Sequence, residues 1–141
     1  MKRLGLVLQR VQNTLNRNVD HYAHQFGLTG MQMLIIEYIS SFATQTAIYQ
    51  KDIEREFNIR KSTATNILNL MEQKGLIIRR IDDQDTRLKA ILLTTKSLEL
   101  EQKIRPYFIN SEEETARILG SEAKIELIEN LQKLNDTLRE D

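Results

Sequence analysis

The feature that most constrains this chain is a change of hydrophobic period at Gly75. Before it, Ala64, Ile67, Leu68 and Met71 fall on one side of a helix spanning residues 61–74, at 100° per residue. After it the helical spacing stops. Leu76-Ile77-Ile78-Arg79-Arg80-Ile81 reads as a strand, residues 82–87 as a polar turn, and residues 88–93 as a returning strand. Gly75 suits the left-handed position just past a helix end, which a Cβ disfavours. The chain is therefore expected to be mainly α with one small β-hairpin. One proline, Pro106, and five glycines in 141 residues fit long helices better than a strand-rich fold.

The flanking segments extend the helical reading. Leu4, Val7, Leu8, Val11 and Leu15 mark one face of a helix over residues 4–25, closed near Gly27. Thr29 is an N-cap candidate for a second helix through Met33, Ile36, Tyr38 and Ile39 to about Phe42, followed by a polar connection. Ile53 and Phe57 support a short helix over residues 50–57, and Asn58-Ile59-Arg60 makes a tight turn into the helix of residues 61–74. Beyond the hairpin, Thr94 or Thr95 caps a long helix through Leu98, Leu100 and Ile104. Pro106 is expected to kink or end it, with another helix starting near Glu112 to Glu114. The last helix carries Leu127, Leu131, Leu134 and Leu138 at steps of four, three and four.

Several function classes find no support. No run reaches the roughly 18 apolar residues that span a bilayer. The apolar start, Leu4 to Leu8, is broken by Gln9 and Arg10 without a small-residue cleavage site, so a cytoplasmic location is expected. The absence of cysteine excludes disulfides, thiolate metal sites and cysteine nucleophiles. His21 and His24 are the only histidines, and zinc would need two further ligands, so no metal or cofactor is expected. There is no phosphate-binding glycine loop and no serine in a nucleophile elbow, so the chain is not expected to be an enzyme. Net charge is zero overall but uneven: +2 over residues 1–49, +3 over 50–105 and −5 over 106–141.

The outward side of the helix at 61–74 is more informative than the charge. Lys61 stands at its start, Ser62, Asn66, Asn69 and Gln73 line the exposed side, and Thr63 and Thr65 flank it. Its early turns hold short hydroxyl and amide groups and no carboxylate. Such a face can enter a major groove and bond to base edges and phosphates, which a carboxylate would oppose. An ordinary exposed helix face would account for this segment almost as well. The hairpin tips the balance, because Arg79, Arg80, Arg87 and Lys89 flank its tip, and an arginine there can enter a minor groove. Asp85 is expected to pair with a nearby arginine and fix its direction, although residues 82–85 could also be only a polar turn. The candidate DNA contacts are Arg60, Lys61, Ser62, Thr63, Thr65, Asn66, Asn69, Arg79, Arg80, Asp85 and Arg87.

Residues 58–68 and 70–79, with Asp85-Thr86-Arg87 and Leu93-Thr94, resemble the reading helix and wing of MarR-type bacterial transcription regulators. The likeness covers nearly the whole chain and departs from the family pattern at Asn66, where arginine is frequent, and at Ser97, where glycine is usual. It implies a single domain over 1–141: a winged helix-turn-helix over about 29–95, flanked by dimerisation helices over about 1–25 and 96–141. It further implies a homodimeric repressor of a pseudo-palindromic operator, released by a small aromatic or anionic ligand. Tyr22, Tyr38 and Phe42 are candidates to line the ligand cleft, though such aromatics are more often plain core. The two terminal apolar stripes agree with dimerisation by seams of the a/d kind, or pack within one monomer. The alternative to a DNA regulator is a winged-helix module that binds another protein.

Overall fold

The computed structural model describes residues 1–139, so the last two positions of the segment assigned to dimerisation lie outside the described residues. The element order is α1 (Leu4–His24), α2 (Gly30–Phe42), α3 (Gln50–Glu56), α4 (Lys61–Gln73), β1 (Ile77–Ile81), β2 (Lys89–Leu93), α5 (Thr95–Leu119) and α6 (Ser121–Leu138). The mainly helical architecture with a two-stranded antiparallel hairpin matches the expectation. Two compact units succeed one another along the chain, residues 1–105 and the part from Pro106 onward. Among the described residues no helix is long and apolar enough to cross a membrane.

The first unit holds the buried core. Met33, Ile35, Ile36 and Ile39 of α2, Ile53 of α3, Leu68 and Met71 of α4, Ile77 of β1 and Ile91 of β2 are all essentially inaccessible. Each such side chain stabilises the fold by roughly 1.5–3 kcal/mol through removal of apolar surface from water. Antiparallel register pairs Ile77 with Leu93 and Arg79 with Ile91. The hairpin is also joined to the segment before α3, where the Ile48 carbonyl accepts from Ile91 N–H at 2.7 Å.

Local hydrogen bonds explain where the helices stop. At the end of α4, Leu76 N–H donates to the Met71 carbonyl and Gly75 N–H to the Glu72 carbonyl, with Gly75 at φ +73°. That pair of bonds is a Schellman ending, and it needs the left-handed backbone that glycine supplies. The end of α3 uses the same device with Asn58 at φ +50°, Ile59 N–H donating to Glu54 and Asn58 N–H to Arg55. An asparagine tolerates this conformation better than most residues. Helix starts are equally specific. Thr29 accepts from Gln32 N–H, and the Gln32 carboxamide accepts from Thr29 N–H, completing a capping box at α2.

Two expectations about the C-terminal half are corrected. Of the kink or end expected at Pro106, the end is not found: α5 runs through it to Leu119. Proline removes one N–H donor but leaves its neighbours' bonds in place, so a long helix can absorb it. The next helix begins at Ser121 rather than near Glu112, because the break falls at Gly120, whose φ is +85°. Glu112 to Glu114 lie inside α5, and Lys124 of α6 reaches back to the Glu112 carboxylate and carbonyl. Ser97, in the place usual for glycine, is fully buried and donates to the Leu76 carbonyl at 2.6 Å. Thr94 caps the start of α5 by accepting from Ser97 N–H. The serine therefore ties the start of α5 to the start of the hairpin.

Candidate nucleic-acid interface

The interface is built on α4. Ala64, Leu68 and Met71 are fully buried, which fixes the rotation of the helix about its axis. That rotation leaves Lys61, Ser62, Thr63, Asn66 and Asn69 exposed, with Thr65 half-buried at the edge. Arg60, just before the helix, is exposed as well. No acidic residue lies in the first turn of α4, so its free N–H groups face solvent without competition from a carboxylate.

The hairpin turn is organised by its aspartates. Asp82 accepts from the backbone N–H of Gln84 and Asp85 and, at 2.7 Å, from the Tyr49 hydroxyl. The Tyr49 bond and the turn N–H groups hold the Asp82 carboxyl below its ordinary pKa, and the same bond raises Tyr49. Asp85 makes a two-pronged pair with Arg87, Nε to Oδ1 at 3.0 Å and Nη2 to Oδ2 at 2.9 Å, and also accepts from Arg87 N–H. The pairing expected from the sequence is therefore present, and it lowers Asp85 and raises Arg87. The Arg87 side chain is still 87% exposed, so the aspartate aims it without covering it.

The other hairpin arginines differ from one another. Arg79 shares the inner hairpin face with Ile77 and is only 18% exposed. Its Nη2 donates to Asn69 Oδ1 at 2.8 Å, and its Nε lies 4.0 Å from a Glu72 carboxylate oxygen. Arg79 and Asn69 thus bolt the hairpin to α4 and engage each other. Arg80 lies on the opposite face, paired in register with Ala90, and is exposed.

A crevice of about 360 Å³ separates α3, α4 and the hairpin, lined by Tyr49, Gln50, Lys51, Glu54, Lys61, Thr65, Leu68, Arg79, Arg87, Leu88, Lys89 and Ile91. Its lining includes five cationic side chains and a single carboxylate, which favours an anionic backbone. The sequence alone does not point to Tyr49 or Gln50. Their contacts reach 33 and 15 residues along the chain, to Asp82 and Thr65, and no local pattern announces them.

The aromatic residues considered for a ligand have separate surroundings. Tyr22 packs on Phe26 with centroids 5.5 Å apart and donates to the Lys103 carbonyl. Tyr38 packs on Phe42 at 5.1 Å and on the edge of Phe57 at 5.9 Å, and burial raises its pKa. Among the described residues no group of three or more His, Cys, Asp or Glu side chains could hold a metal ion.

The family model described as MarR family matches residues 26–88, the stretch from the end of α1 to the wing. The fold is similar to the crystal structure of the transcription regulator MarR from Oenococcus oeni PSU-1, at 34% identity and a TM-score of 0.86, covering 95% of this chain and 99% of that one. It is similar also to the S. aureus MepR–DNA complex, at 26% identity and a TM-score of 0.86, covering 97% of each. Among curated proteins, the HTH-type transcriptional regulator MhqR of Bacillus subtilis (strain 168) is 24% identical over 120 residues, 85% of this chain and 81% of that protein.

Proposed function

The chain belongs to the MarR family of transcription regulators, and on that premise we propose that it binds double-stranded DNA by sequence, as a homodimeric repressor in the cytoplasm. The observation that carries this reading is the carboxylate-free polar face of the early turns of α4, at Ser62, Thr63, Thr65 and Asn66, set beside an exposed arginine held in direction by Asp85. Ser62, Thr63 and Asn66 meet base edges in the major groove, Arg60 and Lys61 hold phosphates, and Arg87 enters the adjoining minor groove. Arg80 supplies a further cation on the hairpin's outer face. The relative solved in complex with DNA supports the same reading.

Dimerisation is supported by apolar surface that neither terminal helix buries by itself. Leu4, Val7, Val11 and Leu15 of α1 are exposed, and α6 has no buried residue, with Ile125, Leu127, Ile128 and Leu138 exposed. A symmetric pair would place two reading helices on half-sites about 10 base pairs apart, hence a pseudo-palindromic operator. Release by a small aromatic or anionic ligand is a further part of the proposal. It is favoured by Phe42, which stays 45% exposed beside Tyr38.

The test is retention of duplexes from a randomised pool, followed by salt titration on the enriched sequence. The proposal expects a two-fold consensus, a complex containing two chains, and binding that weakens steeply with salt. Failure to enrich any duplex would refute it and favour a protein-binding winged helix.

A further inference from the structure

We infer that Gln50 is a positioning residue of the interface, because it fixes the Thr65 hydroxyl as a hydrogen-bond donor toward DNA. This rests on the DNA-binding reading above and deepens it. Gln50 is the first residue of α3, and it shares the crevice with Thr65 and Lys61 of α4. Its Nε2 donates to Thr65 Oγ1 at 2.9 Å and stands 3.4 Å from the Lys61 carbonyl oxygen.

The orientation of the carboxamide follows from chemistry. A main-chain carbonyl can only accept, so the NH₂ side of Gln50 must face α4. The flipped amide would set its own oxygen against the Lys61 oxygen. The NH₂ group has two hydrogens, one for each acceptor on α4. Thr65 Oγ1 therefore accepts from Gln50 and still has its own hydrogen to place.

A threonine inside a helix ordinarily donates that hydrogen to the carbonyl four residues earlier. For Thr65 that carbonyl belongs to Lys61, and Gln50 already engages it. Among the described residues no acceptor takes the Thr65 hydrogen, and it is left to the open side of the crevice. Duplex DNA presents acceptors to such a donor: phosphate oxygens, guanine N7 and O6, adenine N7 and thymine O4. Without Gln50, Thr65 would fold its hydrogen back onto Lys61 and present only lone pairs. Gln50 thus acts through Thr65 as a positioning residue, setting the donor or acceptor sense of a side chain at the edge of the reading face.

The experiment measures affinity of the full chain for its enriched duplex, and repeats the enrichment, for Gln50→Leu, Thr65→Val, the double variant and Thr65→Ser. Gln50→Ala is carried alongside, so that a folding defect particular to leucine does not decide the outcome. Gln50→Leu and Thr65→Val are each expected to weaken binding about fivefold, the worth of one neutral hydrogen bond. The double variant should be no weaker than Thr65→Val alone, and Thr65→Ser should keep the parent affinity. A loss confined to one position of each half-site identifies a base edge as the acceptor, and a loss uniform across sequences identifies a phosphate. Parent-like binding by both Gln50 variants, or independent losses that multiply in the double variant, would overturn the inference while leaving DNA binding intact. If the parent enriches no duplex, the DNA-binding reading falls and this inference falls with it.

Discussion

Replacing Gly30 by alanine should destabilise this protein, against the usual direction for a helical glycine. Gly30 opens α2, and its φ is not in the left-handed region. At such a site alanine ordinarily stabilises by about 0.4–1 kcal/mol, by restricting the unfolded chain. Here a Cβ would meet Asp20 Oδ1 at 2.3 Å, Asp20 Cγ at 3.1 Å and Val19 Cγ1 at 3.1 Å. Asp20 can swing away, but it then gives up the 2.7 Å bond it accepts from Gly30 N–H. That bond to an ionised group is worth about 1.5 kcal/mol at an exposed residue, the low end of its range. Displacing Val19 against α2 adds about 1 kcal/mol. After the entropic gain of alanine, the net loss is roughly 1.5–2 kcal/mol, or about 4–8 °C in Tm for a chain of this length. Thermal unfolding at fixed chain concentration measures it, since the Tm of the proposed dimer would depend on concentration. In an Asp20→Ala background the same change should be close to neutral, because only the Val19 contact remains, about 1 kcal/mol against the gain of about 0.4–1 kcal/mol. Gly30→Ala melting at or above the parent would refute the reasoning.

Further expectations follow from the hairpin and from the start of α5. Arg87→Ala should weaken DNA binding more than alanine at the generic surface cation Lys133, measured by fluorescence anisotropy on one duplex; equal losses would remove the wing from the interface. Asp85→Asn should fall between them, because it keeps the arginine and loosens its aim. Asp82 and Asp85 have lowered pKa values, so their ordering of the turn is present above the unfolded carboxylate value of about 3.9 and is lost as pH falls through their folded values. The amide resonances of Gln84, Asp85 and Arg87 should therefore hold their folded positions at pH 5 and move only below about pH 4; movement between pH 7 and 5 would contradict the assignment. Ser97→Ala should cost about 1 kcal/mol, because Thr94 N–H still serves the Leu76 carbonyl after the serine bond is lost. Unchanged denaturant stability would show that the bond is not needed.

The reading helix and wing were legible because local signals fix them. Gly75 and Asn58 mark helix ends through a backbone conformation that few residues accept, and Ala64, Leu68 and Met71 orient α4. The Asp85–Arg87 pair spans two residues, so it too is a local feature. The unread parts depend on distance or competition. In Ile77-Ile78-Arg79-Arg80 the doubled residues do not mark a face, and only the register Arg79 to Ile91 shows that Arg79 turns inward while Arg80 does not. Pro106 looks like a stop, yet one missing donor is less disruptive than the positive φ at Gly120. Tyr49 and Gln50 acquire their roles only when the hairpin and α4 fold back against α3.

The central claim is that the exposed polar face of α4 reads base edges, and Asn66 tests it most directly, being exposed on a helix whose first turn holds no carboxylate. The measurement is the consensus enriched from random duplexes by the parent and by Asn66→Ala. With Asn66→Ala, discrimination should relax at about one position in each half-site, by roughly 1–3 kcal/mol, while the other positions keep their preference. An unchanged consensus from Asn66→Ala, with unchanged affinity, would contradict it.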